Sequence, residues 1–88
     1  MKLRFIGIDP STGGGGSPTV WVEEGGADLV LQGQEAEELL KSQVADTAWV
    51  PGHDRGIPAH ETVIRIPARM VPILREACDV AEQRAGLR

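Results

Sequence analysis

Apolar and polar residues alternate through the first part of the chain, and helical spacing takes over only near its end. Lys2 to Ile8 alternates, with Leu3, Phe5 and Gly7 on one side and Arg4, Ile6 and Ile8 on the other, so a strand is predicted near 2–8. Pro18 opens a second strand near 18–24, where Val20 and Val22 face one way and Thr19, Trp21 and Glu23 the other. Glu24 to Asp28 holds Gly25-Gly26 and has the length of a hairpin turn. A third strand follows near 28–32, with Leu29 and Leu31 inward. Leu39, Leu40, Gln43 and Val44 form a thin apolar stripe, and three glutamates precede or open it, so a short surface helix is predicted near 35–45. Residues 46–60 carry Pro51-Gly52, Gly56 and Pro58 without periodicity and read as a long loop. Thr62 to Ile66 is β-branched and alternating, which predicts a fourth strand near 61–66 with Ile64 and Ile66 on the core face. Pro67 ends it, because proline has no amide donor. Met70, Ile73, Leu74, Ala77, Val80 and Ala81 then recur at helical spacing, predicting a C-terminal helix near 69–84 that covers the sheet. Pro72 requires the regular helix to start close to it or a separate turn to lead in, and Gly86 is placed to end it. The fold class is α+β: a small, mostly antiparallel sheet with a short helix and a packed C-terminal helix. One domain over 1–88 is expected, with a flexible glycine-rich loop at 10–17.

Composition adds a constraint of size. A chain of 88 residues with only Phe5, Trp21 and Trp49 as aromatics rests its core on Val, Ile and Leu. So small a core favours a homodimer or a protein partner. The net charge of −4 argues against direct nucleic-acid binding, which needs clustered Lys and Arg. Arg65, Arg69 and Arg75 fall near one another in sequence, diluted by Glu61, Glu76 and Asp79. No apolar run approaches the length of a membrane span, and no signal-peptide pattern stands at the start, so a cytoplasmic location is expected. Cys78 is the sole cysteine; it is read as a small buried residue on the apolar side of the last helix.

Four groups of residues could carry chemistry. Asp9 ends a strand in Gly7-Ile8-Asp9-Pro10-Ser11, a turn similar to the opening hairpin of RNase H-like nucleases of the Holliday-junction resolvase type. That likeness implies a carboxylate ligand for catalytic Mg²⁺; the plain reading is an aspartate that starts a turn. Gly13 to Gly16 lacks the following Lys and helix of a phosphate-binding loop. His53, Asp54, His60 and Glu61 are zinc-capable side chains in a Pro/Gly loop, held by no helical spacing. Trp21 and Trp49 are of the type that anchors interfaces or pins loops. No catalytic residue, metal ligand or cofactor site is assigned on these grounds.

Val20-Trp21-Val22-Glu23, Leu29-Val30-Leu31-Gln32 and Thr62-Val63-Ile64-Arg65-Ile66-Pro67-Ala68 together resemble the BldB-like family. These are short actinobacterial proteins of unknown biochemical activity, encoded beside helix-turn-helix regulators. Gln34 to His60 is an insertion relative to that pattern. The resemblance implies a non-enzymatic regulatory or scaffold protein, dimeric and partnered with a DNA-binding regulator. The expected partner surface combines Trp49, His53 and Arg55 with Arg75, Glu76, Asp79 and Glu82 on the outer side of the last helix. The alternatives are a metal-dependent nuclease fragment using Asp9 and a zinc-binding module using His53 and His60.

Overall fold

The computed structural model describes residues 1–11 and 16–86. Part of the loop expected over 10–17, residues 12–15, lies outside them. The elements run β1 (Leu3–Ile8), β2 (Thr19–Glu23), β3 (Leu29–Gln32), β4 (Gln34–Glu35), α1 (Glu38–Asp46), β5 (Ile64–Arg65), a 3₁₀ turn (Ala68–Met70) and α2 (Val71–Arg84). The architecture is α+β, as the pattern predicts. The chain divides into two compact units, Met1–Gly33 with Ile66–Arg88, and Gln34–Arg65.

In the first unit β1, β2 and β3 form an antiparallel sheet in that order. The central strand has the burial its alternation predicts: Val20 and Val22 are wholly buried, and Trp21, between them, points to the other face. Met70 and Ala77 close over the two valines, and Ile6, Ile66, Ile73, Leu74, Val80 and Ala81 pack around that cluster. Each fully buried Val or Met side chain contributes about 1.5–3 kcal/mol. The two ways of starting α2 around Pro72 occur together. Pro67 to Met70 makes a 3₁₀ turn, with the Met70 N–H donating to the Pro67 carbonyl at 2.9 Å, and Pro72 sits in the first turn of α2, where its missing donor costs nothing. Gly86 follows the helix at φ +71°, the left-handed position that suits glycine. The hairpin turn between β2 and β3 is closed by the Glu23 N–H donating to Asp28 O and the Ala27 N–H to Glu23 O. Its left-handed residue is Ala27, at φ 64°, and not either neighbouring glycine.

β1 departs from simple alternation. Its register against β2 shifts between Phe5 and Gly7, so Phe5 stands opposite Trp21 on the open face while Gly7 stands opposite Val20 on the helix face. Phe5 and Gly7 therefore do not share a side. Ile6, the bulged residue, packs with the core, and Leu3, Phe5 and Ile8 are exposed. The bulge brings the Gly7 backbone against α2: a Cβ there would lie 2.8 Å from Ile73 Cγ2. Only glycine lets strand and helix approach so closely.

The second unit corrects the fourth strand. β5 is two residues long and pairs not with the three-stranded sheet but with β4, whose Glu35 the sequence places in the helix predicted near 35–45. The Ala36 N–H extends this ribbon by donating to Val63 O at 2.9 Å. Ile66 leaves the ribbon and joins the core of the first unit. α1 starts later than expected, at Glu38, and buries no residue. Among the described residues of this unit, only Ala36 is buried. Residues 47–63 form turns: Pro51-Gly52 turns at the positive φ (+87°) that only glycine takes freely, with the His53 N–H donating to Val50 O.

Gly7→Ala is expected to destabilise the protein by about 1–3 kcal/mol through overpacking against Ile73. In urea unfolding the loss in Gly7→Ala/Ile73→Ala should be smaller than the two single losses combined, since truncation of Ile73 makes room for the new methyl. Strict additivity would contradict this close approach.

Candidate functional site

Asp9 is the most constrained polar residue among those described. It follows β1, its side chain has no exposed surface, and its N–H donates to Pro18 O at 2.9 Å. The Ser11 N–H donates to Oδ1 at 2.9 Å, which is the turn-starting role read from Asp9-Pro10-Ser11. Arg69, on the 3₁₀ turn, completes the arrangement as a fork. Its Nε donates to Oδ1 at 2.7 Å and its Nη2 to Oδ2 at 2.6 Å. The hydrogen bonds that Arg69 donates to Asp9, together with the carboxylate's charge, raise the Arg69 pKa above its ordinary value, while desolvation opposes them. The sequence reading missed this pair, because 60 residues separate its members. The available signal was an acid at a strand end facing an arginine set between Pro67 and Met70, where the chain otherwise turns apolar.

This geometry bears on the Mg²⁺ reading. Asp9 faces a guanidinium and a backbone amide, whereas a two-metal site gathers several carboxylates. Among the described residues no three His, Cys, Asp or Glu side chains come together as metal ligands would. His60 Nε2 lies 3.8 Å from its neighbour Glu61 Oε2, both side chains exposed, and His53 is exposed on its turn.

Trp49, His53 and Arg55 all belong to the second unit and are exposed. Trp49 is 63% exposed and caps α1, its indole Nε1 donating to Val44 O at 2.9 Å. Thr47 Oγ1 donates to Gln43 O and the Gly56 N–H to Ala45 O, so three successive carbonyls in the last turn of α1 gain donors. Trp49 thus pins the loop to a helix end through its polar edge while leaving its ring in water. Lys41 Nζ lies 2.7 Å from Glu35 Oε1, and Arg65 Nη2 lies 3.0 Å from Glu37 Oε1. The Lys41 hydrogen bond and then its charge hold the Glu35 carboxyl below its usual range, and Lys41 is raised in turn. That contribution is fully present above the ordinary Glu range and is lost as pH falls through the lowered value. Exposed pairs of this kind are weak.

Arg75, Glu76 and Asp79 are exposed on α2, and Glu82 is half-buried there. These four belong to the first unit, so the expected partner surface draws on both compact units. Cys78 is exposed, a correction: the helix turns Met70, Ile73, Leu74 and Ala77 inward, and position 78 falls outside that stripe. No helix among the described residues is long and apolar enough to cross a membrane. No protein-family model, curated protein or solved structure matches the chain.

Removing Arg69 takes the guanidinium from a buried carboxylate, whereas removing the charge of Asp9 leaves an arginine already half in water, with 47% of its side chain exposed. Arg69→Ala is therefore expected to lower the melting temperature more than Asp9→Asn, and Arg69→Lys should rescue only in part, lacking the two-pronged geometry. Equal losses for the two partners, measured by thermal unfolding at neutral pH, would contradict the burial asymmetry.

Proposed function

We propose that the protein is a non-enzymatic regulatory or scaffold protein that works by protein–protein contact, with the Gln34–Arg65 unit as its main contact surface. The observation that carries this reading is an imbalance within that unit. It exposes Leu39 (82%), Trp49 (63%) and Val50 (50%) while burying only Ala36 among its described residues. Large apolar side chains left in water beside so little core favour a partner that covers them. The unit also holds six acids against three bases, and so carries −3 of the chain's net −4. An acidic surface with an aromatic anchor is complementary to a basic partner, and a DNA-binding domain has that chemistry. The BldB-like resemblance supports the same class of partner, a helix-turn-helix regulator. Location in the cytoplasm accords with this role.

Binding of a purified helix-turn-helix regulator encoded next to this chain tests the proposal. The wild-type chain should retain it, with an affinity that falls as salt rises. Leu39→Lys and Trp49→Lys should each weaken retention at least tenfold. A regulator that does not bind, or that binds both variants as well as the wild type, would overturn the assignment.

A further inference from the structure

The two edges of the three-stranded sheet are built differently, and the difference points to self-association. β1 is guarded: Lys2 precedes it, it carries Arg4, and its register is broken by the bulge between Phe5 and Gly7. Charged residues and bulges of this kind keep edges from pairing with other strands. β3 has neither device. Its residues are Leu29, Val30, Leu31 and Gln32, in unbroken register with β2, and among the described residues it pairs with no other strand. The Glu23 N–H to Asp28 O bond fixes the phase of that ladder. In an antiparallel pair the inward-bonding residues alternate, so Val30 and Gln32 bond to β2 while the N–H and C=O of Leu29 and Leu31 point away from the sheet.

We infer that β3 is an interface for a second copy of this chain, joined edge to edge and antiparallel about a two-fold axis at Val30. This inference stands apart from the partner reading above, which concerns the other unit. The edge is self-complementary in that register. Leu29 meets Leu31 of the copy, so each outward donor finds an acceptor, and Asp28 falls opposite Gln32, so no like charges meet. Leu29 and Leu31 stand opposite Val22 and Val20, hence on the face covered by α2, yet they remain 39% and 40% exposed because that cover fades toward the edge. The copy brings its own pair against them. On the opposite face the cross-strand row Phe5, Trp21, Val30 continues into its two-fold-related counterpart. An interface of four-residue strands sits near or below the ~1,200 Å² lower bound of stable complexes, so the association is concentration-dependent.

Sedimentation of the full chain from micromolar to millimolar concentration tests this. The mass should double across the range. Leu31→Lys should remain a single chain with an unchanged circular dichroism spectrum, and Phe5→Lys, on the guarded edge, should still double. In the wild type, amide exchange at Leu29 and Leu31 should slow as concentration rises, which decides the matter even if a variant fails to fold. A single-chain mass throughout, a dimer that survives in folded Leu31→Lys, or slowing at Leu3 and Phe5 instead would overturn the inference. So would a chain that stays single and takes up only a foreign extended peptide along β3.

Discussion

A carboxylate with no exposed surface stands where the first strand ends, and the first unit is arranged so that it is answered. Moving a carboxylate out of water costs several kcal/mol unless strong hydrogen bonds offset it. Here a two-pronged guanidinium and a backbone amide do so. Such a pair adds little net stability compared with an apolar core, but it is demanding of geometry. It fixes the strand end against the 3₁₀ turn, and the turn carries Met70, which is wholly buried beside Val20 and Val22. The seating of α2 follows from those contacts and from the close approach at Gly7. The Asp9–Arg69 pair therefore fastens the strand end to the 3₁₀ turn.

The two units contrast in what holds them. The first has a contiguous apolar cluster under a 14-residue helix. The second has a two-residue ribbon, a nine-residue helix with no buried residue, and exposed ion pairs. Capping of the α1 end by Thr47, Trp49 and Gly56 gives the loop a defined path without giving it a core. Segments of this kind occupy the low-stability end of a protein and are well suited to contacts made with other molecules.

Much of the first unit was legible in the sequence, because its signals are local. Alternation in Val20 to Glu23 and Leu29 to Gln32 predicts two strands and their inward faces, and the spacing from Met70 to Ala81 predicts the covering helix. The bulge at Ile6 was not legible. It goes with a close backbone approach to Ile73, a residue remote in sequence, and reverses the side assigned to Gly7. The Asp9–Arg69 pair was hidden for the same reason. The β-branched run from Thr62 to Ile66 has strong strand character, but its pairing depends on which partner reaches it, and Gln34–Glu35 lacks any strand signature. Cys78 was misplaced because it neighbours Ala77, the most deeply buried residue of α2. For Trp49 only the residue type was legible; its double use as helix cap and exposed ring appears only in the structure.

The chain joins a cored unit to one in which, among the described residues, only Ala36 is buried. Native-state hydrogen exchange tests this contrast most directly. Backbone amides of Val20, Val22 and the middle of α2 should exchange only through global unfolding, while those of α1 and the β4–β5 ribbon exchange far faster, through openings that leave the sheet intact. Equal protection across Gln34–Arg65 and the sheet would contradict the account.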